Sequence, residues 1–253
     1  MVFHCHNRLL QRSGIVIAGQ SLRLSRAHVI ACCKYAAQPL QAYIEPKHLS
    51  VLYNGVGRPL SYAARPRRRI RRIGVIGRVE PEKGQIEFIR AAAAVAKRFP
   101  ESHFVVAGAP LFSNRRYFDE IVRESSGLPV EFLGWRDDIE SVLASLDLLV
   151  VPSSPLDSAP RVIFEAFSSR VPVVAFPCGG IPEIVRDGDT GFLTSGTGPD
   201  ALAHRICSVI EMMPSRVAAV VNRAWKRWDE EHTVDIYRER VGRLLMNAAG
   251  RCA

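Results

Sequence analysis

From residue 72 onward, short apolar runs alternate with longer stretches whose apolar positions recur at helical spacing. Runs that are apolar at every position are typical of parallel strands buried on both faces, and the stretches between them predict covering helices. The predicted strands are 72–77, 103–108, 130–134, 147–153 and 171–176. The predicted helices are 84–99, 115–125, 137–146, 159–169, 198–213 and 215–246. Right-handed crossovers then give an α/β fold with a doubly wound parallel sheet.

Polar and glycine-rich segments follow each predicted strand. In chain order they are "GRVEPEKG", "AGAPLFSN", "GWRDD", "PSSPLDSAP" and "PCGGIPE". Ligands of such sheets bind in the crevice beyond the carboxyl ends of the strands. The pattern therefore predicts one site formed by these five loops.

Residues 1–57 have a different organisation. "VFHCHN" and "LSVLYNGV" are strand-like, and "HVIACCKYAAQPLQAYI" reads as a strand that runs into a helix. These elements are too few for an independent domain. We therefore predict a remnant of one domain at 1–57, an arginine-rich linker at 58–72 and a second domain at 73–253.

The net positive charge of the chain indicates which kinds of partner it could bind. The 253 residues carry a formal charge of +9, and six arginines lie between Arg65 and Arg72. A block of like charge is usually a solvated connector, and this interpretation is favoured. Attraction of Arg65–Arg72 to an anionic membrane surface is the alternative. No aromatic residues interleave with the arginines and no recognition motif accompanies them, which argues against nucleic acid as a partner.

The remaining composition indicates a soluble cytoplasmic protein. No apolar run reaches the ~18 residues expected of a membrane-spanning helix. The first ten residues lack the charged-then-apolar order of a secretory signal. The six cysteines have neither CxxC pairing nor zinc-like spacing, which favours a reducing compartment.

"GRVEPEKG" combines Arg78 after a strand with Lys83 and Gly84 before a helix. Two cations beside a helix N-terminus suit a diphosphate, with arginine as a planar donor and lysine as a point charge. The segment lacks the GK[ST] ending of a P-loop. An ordinary strand–turn–helix with two surface cations remains the alternative.

"DSAPRVIFEAF" places Asp157 and Glu165 around the start of a helix. We predict that Ser158 caps this helix and that Pro160 lies in its first turn. Apolar neighbours predict partial burial for Glu165, whose carboxylate then requires a polar partner such as a ribose diol. Alternatively, Glu165 faces solvent and Asp157 is a turn residue.

"CGGIPEIVRDGDTGFL" joins Gly179 and Gly180 to a short helix and a DG turn. The two glycines permit either close approach of the backbone to a ligand or simply a tight connection.

Taken together, these segments resemble the C-terminal half of a GT-B glycosyltransferase of the large retaining group called family 4. The resemblance is strong over about residues 73–195 and looser on either side. It is carried by "GRVEPEKG", "FLGWRDDI", "DLLVVPSS", "DSAPRVIFEAF", "VPVVAF" and "GGIPEIVRDGDTGFL".

The resemblance implies roles for four charged side chains. Arg78 and Lys83 would bind the donor diphosphate and stabilise the leaving nucleotide in place of a metal. Glu165 would hydrogen-bond the ribose hydroxyls. Asp157, one methylene shorter than the glutamate usual in the family, would approach the donor sugar.

The resemblance also implies contacts beyond these carboxylates and cations. Backbone amides of Arg161 and Val162 would face phosphate oxygens, and Gly134, Trp135 and Arg136 would border the base.

The N-terminal segment resembles the end of the acceptor-side domain. In "VFHCHN", His4 or His6 matches a histidine near the reacting sugar, and His6 fits better. Cys33 stands where a serine is usual, and Arg170 stands where a glycine usually ends a helix in a left-handed turn. About a hundred residues expected before Met1 are absent, including most of the acceptor surface, so we expect a truncated chain.

The resemblance implies metal-independent transfer of a sugar from a UDP- or GDP-sugar to a glycan or lipid acceptor, with retained anomeric configuration. It requires no cofactor. The alternative is a non-catalytic nucleotide-sugar-binding module or one half of a split glycosyltransferase. A sugar-nucleotide 2-epimerase is a minor enzyme alternative, and a basic nucleic-acid-binding protein is the least favoured.

Overall fold

The computed structural model describes residues 1–59, 69–110 and 115–250. The strands of these residues form two parallel sheets. The smaller sheet has the order β1-β2-β3. Its strands are β1 (Val2–Cys5), β2 (His28–Ala31) and β3 (Leu49–Val51), with helix α1 (Arg12–Leu24) between the first two and α2 (Lys34–Ala37) after the second. The predicted N-terminal strands are thus confirmed, whereas α1 was not predicted.

The larger sheet has the order β6-β5-β4-β7-β8-β9, and each of its pairings is parallel. Its strands are β4 (Arg72–Ile76), β5 (His103–Ala107), β6 (Val130–Gly134), β7 (Leu148–Val151), β8 (Val173–Ala175) and β9 (Phe192–Leu193). Its helices are α3 (Gln85–Arg98), α4 (Arg115–Glu124), α5 (Ile139–Ser145), α6 (Arg161–Ser168), α7 (Ile181–Ile184), α8 (Pro199–Glu211), α9 (Pro214–Glu231) and α10 (Val234–Gly250). The strand order is that of a doubly wound sheet whose direction of winding reverses beside β4. The predicted fold class is confirmed.

Alternate residues of the central strands pack into two cores, one on each face of the sheet. On β5, Val106 contributes to the core beneath α3 and α8, and Val105 to the core beneath α6 and α9. Phe88 and Trp228 are among the largest fully buried side chains of these two cores. Burial on both faces explains why the strand segments are apolar at every position.

The prediction of a single helix at 215–246 is wrong, because the helix is interrupted between α9 and α10. At the break, Val56 donates its amide to His232 O (2.9 Å) and accepts the amide of Val234 (3.1 Å). These bonds form an isolated parallel bridge between Val56 and Thr233. Backbone groups of residues 232–234 therefore bond to the N-terminal segment, and neither proline nor glycine marks the break.

The predicted linker lies mostly outside the described residues. At its start, Arg58 forms an ion pair of 2.6 Å with Asp229, and at its end Arg72 belongs to β4. Residues 60–68, which include three of the six arginines, are not among the described residues, and the domain limits at 57 and 73 stay predictions. Within the described ranges, no helix is both long enough and apolar enough to cross a bilayer.

Arg170 has a backbone φ of +55°, so the left-handed turn expected at this position is confirmed without a glycine. Its guanidinium donates to Asn222 Oδ1 at 2.7 Å and lies 4.2 Å from the ring centre of Trp225. These contacts with α9 offset the strain of a side chain in the left-handed region.

We predict that Arg170→Gly is more stable than Arg170→Ala by about 1 kcal/mol, because both lose the α9 contacts and only glycine relieves the left-handed strain. Urea unfolding of both variants measures the difference. The same pair of substitutions at Asp119, an exposed position in the middle of α4, is the control and should show the opposite order, with alanine favoured by about 1 kcal/mol. Equal stability of the two Arg170 variants would contradict the strained turn.

Candidate functional site

The loops that follow β4 and β7 are held in direct backbone contact at the carboxyl edge of the sheet. Lys83 ends a short 3-10 turn, and Gly84, at φ +67°, precedes α3. A Cβ at Gly84 would lie 2.0 Å from the carbonyl oxygen of Pro152. Ser154 donates its amide to Glu82 O at 2.8 Å. Only glycine fits this contact, because the position needs both a left-handed backbone and the absence of a side chain.

This contact brings Lys83 and Asp157 together. Lys83 Nζ lies 2.7 Å from Asp157 Oδ2, and the two side chains are only 23% and 12% exposed. A half-buried lysine and carboxylate at the rim of the sheet form a site with both a cationic and an anionic group. The two residues that the resemblance assigned to the diphosphate and the sugar are therefore neighbours.

Arg78 lies in the same loop and is half exposed. Its Nη2 is 3.0 Å from Oε1 of Glu80, and its backbone carbonyl accepts a hydrogen bond of 2.7 Å from the amide of the buried Gln85 side chain. Burial raises the pKa of Glu80, and the neighbouring Arg78 opposes that rise. Glu80 holds the guanidinium in place and was missed from the sequence, where the only signal is an acid two positions after Arg78.

The predicted cap of α6 is wrong. Pro160 is the N-cap residue, and no side chain caps the helix. Ser158 lies two residues before Pro160, and its Oγ accepts the amide of Arg8 at 2.9 Å. The hydroxyl therefore bonds to the N-terminal segment, and the first amides of the helix, those of Arg161 and Val162, lack an intrahelical acceptor.

The predicted burial of Glu165 is confirmed. Its side chain is 22% exposed, and Oε1 lies 3.1 Å from Nε of Arg161 one turn earlier. Burial raises the pKa of the Glu165 carboxyl, and Arg161 only partly opposes this effect. The carboxylate is thus poorly solvated and is able to accept hydrogen bonds from a ligand's hydroxyl groups.

Gly134 ends β6 with a φ of +65° and starts the loop predicted to border a base. Trp135 is 54% exposed and donates Nε1–H to Asp137 at 2.9 Å, and Arg136 forms two hydrogen bonds with Asp138. Among the described residues, these side chains bond within their own loop, and the structure does not bring them onto Lys83 or Asp157.

His6 is exposed just after β1, whereas His4 is half-buried within the strand. The two rings are 4.1 Å apart, and burial together with His6 lowers the pKa of His4. Because Arg8 bonds to Ser158, this strand end lies beside the loop that carries Asp157. The choice of His6 over His4 stays a prediction from the resemblance.

Gly179 and Gly180 form a tight connection against another loop. Gly179 has a φ of +60°, and Gly180 donates its amide to Ser158 O at 2.9 Å. A Cβ at Gly180 would lie 2.1 Å from that oxygen and 2.8 Å from Cys33 Sγ. Of the two interpretations left open by the sequence, the packing one accounts for these contacts.

The cysteines of the described chain form no disulfide. Cys5, Cys32, Cys33, Cys178 and Cys207 are free thiols. Over residues 1–59, 69–110 and 115–250, no group of three or more His, Cys, Asp or Glu side chains could hold a metal ion. Metal independence stays a prediction from the resemblance.

The fold with two parallel α/β sheets is that of the GT-B glycosyltransferases. The family model of the glycosyl transferases group 1 matches residues 70–212, and the chain belongs to this family. It is 35% identical over 181 residues to the D-inositol 3-phosphate glycosyltransferase of Mycolicibacterium gilvum, an alignment that covers 68% of this chain and 39% of that protein. The chain thus spans about two fifths of the length of this curated relative.

Solved structures extend the similarity to almost the whole chain. HepE of Anabaena, crystallised with UDP and glucose, is 27% identical, with a TM-score of 0.85, covering 97% of this chain and 71% of HepE. A second similar structure is the C-terminal domain of the group 1 glycosyl transferase LpcC from Francisella tularensis. The superposition covers 71% of this chain and all of that domain, with a TM-score of 0.62. At 23% identity, the second likeness concerns the fold alone.

We predict that Glu165→Gln raises the free energy of unfolding at neutral pH, because it removes a buried charge whose folded pKa lies above the usual 4.5. The gain should shrink as pH falls toward and below that value, since the folded wild type then carries the protonated, neutral carboxyl. Urea unfolding of both proteins at about pH 7 and about pH 4 tests the sign. The exposed Glu101→Gln is the control, with little change expected at either pH. A destabilised Glu165→Gln at neutral pH would show that the Arg161 ion pair outweighs burial.

Proposed function

We propose that this chain is the donor-binding part of a retaining, metal-independent glycosyltransferase that uses a UDP-sugar. The observation that carries the proposal is the 2.7 Å contact between Lys83 and Asp157, which unites a cation for the diphosphate and a carboxylate for the sugar at the carboxyl edge of the sheet. A GDP-sugar is the alternative donor left by the sequence.

In this proposal, the donor diphosphate takes the place of the carboxylates that pair with Arg78 and Lys83 in the free protein. Lys83 pairs with Asp157 and Arg78 with Glu80, so both cations already occupy fixed positions before a ligand binds. Arginine offers two parallel donors and lysine a compact charge, a combination that suits the oxygens of a diphosphate. The uncapped start of α6 adds the amides of Arg161 and Val162 on the same edge of the sheet.

The hydroxyl groups of the donor are assigned to the two carboxylates. Glu165 would accept hydrogen bonds from the ribose diol, which would give its poorly solvated carboxylate polar partners. Asp157 would accept from hydroxyls of the sugar once the diphosphate engages Lys83. Trp135 and Arg136, with Gly134 before them, would border the base.

The proposed reaction breaks the bond between the anomeric carbon and the diphosphate oxygen and forms a bond from that carbon to an acceptor oxygen. Negative charge grows on the leaving diphosphate, where Arg78 and Lys83 would stabilise it in the transition state. His6, on the acceptor side, would lie near the reacting sugar. The acceptor's proton leaves with the departing UDP, which balances the reaction.

Similarity to HepE supports the choice of donor, because HepE was also crystallised with UDP-glucose. From 27% identity over almost the whole of this chain, we infer a nucleotide site shared with HepE. The acceptor remains assigned only by class, as a glycan or a lipid. We also propose a cytoplasmic setting, with peripheral attraction of Arg65–Arg72 to an anionic membrane.

A second candidate is a donor-binding module that requires another polypeptide for turnover. It is supported by the placement of Lys83, Asp157 and Glu165, which all lie on loops or helices of the larger sheet, so that donor binding would not need an acceptor surface. Both candidates predict donor binding, and only the enzyme predicts consumption of UDP-glucose in the presence of an acceptor.

We predict that the chain binds UDP and that Lys83→Ala weakens binding by about ten- to a hundredfold, as expected for loss of a charged hydrogen bond to phosphate. Calorimetric titration with UDP measures both dissociation constants. Lys97→Ala, an exposed lysine near the far end of α3, is the matched control and should bind like the wild type. Absence of UDP and GDP binding to the wild type would refute the proposal.

We predict that Asp157→Asn retains or strengthens binding of free UDP, because Lys83 loses its competing counterion. Binding of UDP-glucose relative to UDP should fall about tenfold, because a charged acceptor for the sugar hydroxyls is lost. Parallel titrations with the two ligands give the ratio, and Asp119→Asn, an exposed aspartate on α4, serves as control. If both ligands weaken equally, Asp157 acts only by holding Lys83.

A further inference from the structure

The carboxylate of Glu183 receives three hydrogen bonds from the N-terminal segment. Glu183 lies on α7, beside the larger sheet, and its donors come from residues that follow β2 and β3. Lys34 N and Tyr35 N each lie 2.8 Å from a separate carboxylate oxygen, and Tyr53 Oη lies 2.6 Å from one of them. A single side chain thus holds the start of α2 and the end of the small sheet.

The backbone of α7 is anchored by hydrogen bonds from α9. Arg227 of α9 donates to Glu183 O at 3.0 Å and to Ile184 O at 2.5 Å, and its side chain is only 13% exposed. The helix itself spans only Ile181–Ile184. Because α7 is fixed to α9, the Glu183 carboxylate presents a rigid acceptor to the N-terminal segment.

The same junction contains the loop that carries Asp157. Ser158 accepts Arg8 N through its hydroxyl, and its carbonyl accepts from Gly180 N at 2.9 Å and from Cys33 Sγ at 3.4 Å. Cys33 is completely buried at this junction. Glu183 therefore acts next to the point where the segment bearing His6 meets the loop bearing Asp157.

We infer that Glu183 is a positioning residue that holds the N-terminal sheet against the donor loop and so sets the distance of His6 from the Lys83–Asp157 pair. Its consequence for sugar transfer rests on the proposed function. Within the described chain, Glu183 hydrogen-bonds to neither Lys83 nor Asp157, and it acts through the residues that it holds.

The reactivity of the Cys33 thiol measures whether this junction is closed, and the measurement needs no ligand. Cys33 is buried by Ser158 and Gly180, so separation of the two parts would expose it to a water-soluble alkylating reagent. Cys207 is also buried but lies on α8 in a core of the larger sheet, where only wider unfolding would expose it. The ratio of the two alkylation rates distinguishes opening of the junction from loss of the fold.

The experiment compares iodoacetamide labelling of Cys33 and Cys207, mapped by mass spectrometry, in the wild type and in Glu183→Gln. The amide keeps the shape but turns a donor toward backbone N–H groups, so labelling of Cys33 should accelerate about tenfold or more while Cys207 changes less than about twofold. Tyr53→Phe removes one of the three donors without removing the ring and should accelerate Cys33 by a smaller factor. Glu124→Gln, which removes a carboxylate bonded twice by Arg90 within one part of the chain, is the matched control with no effect on Cys33.

Unchanged labelling of Cys33 in both Glu183→Gln and Tyr53→Phe would overturn the inference, and equal acceleration at Cys207 would reduce Glu183 to a general stabilising role. UDP titration of the same proteins separates this result from the proposed function. We expect Glu183→Gln to retain the wild-type affinity for UDP and to lower turnover of UDP-glucose. A wild type that binds no UDP would refute the donor site and leave the labelling result to decide the role of Glu183.

Discussion

The close approach of three backbone segments beyond the carboxyl ends of the larger sheet is the constraint on which the site depends. The loop after β7 passes so near Gly84 on one side and Gly180 on the other that a Cβ at either glycine would collide with its carbonyl oxygens. These contacts fix Asp157 within 2.7 Å of Lys83 and place Ser158 against the N-terminal segment. The positions of the charged side chains thus follow from steric limits on the backbone that carries them.

Within this frame, each cation of the site has its own carboxylate. Lys83 pairs with Asp157, Arg78 with Glu80 and Arg161 with Glu165, although the chain as a whole carries a formal charge of +9. Such pairing keeps the cations ordered without a ligand, which lowers the entropy lost on binding. A diphosphate must then displace carboxylates. In the proposed mechanism the displaced Asp157 becomes available to the sugar, so one exchange of partners would prepare two binding functions.

The sequence predicted the larger sheet well, because burial on both faces makes each strand a continuous apolar run and each helix amphipathic. It failed where long-range contacts decide the structure. Ser158 has the side chain of a helix cap but bonds to Arg8, 150 residues earlier. The break before α10 depends on a bridge to Val56, and the role of Glu183 depends on donors from residues 34–53. Local pattern carries no information about such partners.

The contacts of Ser158 and Glu183 also suggest why motifs of the larger sheet and histidines of the smaller one occur in a single chain. A bond between an anomeric carbon and an acceptor oxygen requires groups on both sides of the sugar, and positional errors of about 1 Å lower rates by about a hundredfold. In the proposed mechanism, the donor side would be set by glycine contacts between loops of the larger sheet, whereas the acceptor side would be set by hydrogen bonds that cross between the sheets. In the proposed mechanism, loss of the Glu183 hydrogen bonds would therefore change the position of His6, while the backbone contacts that hold Lys83 beside Asp157 would remain.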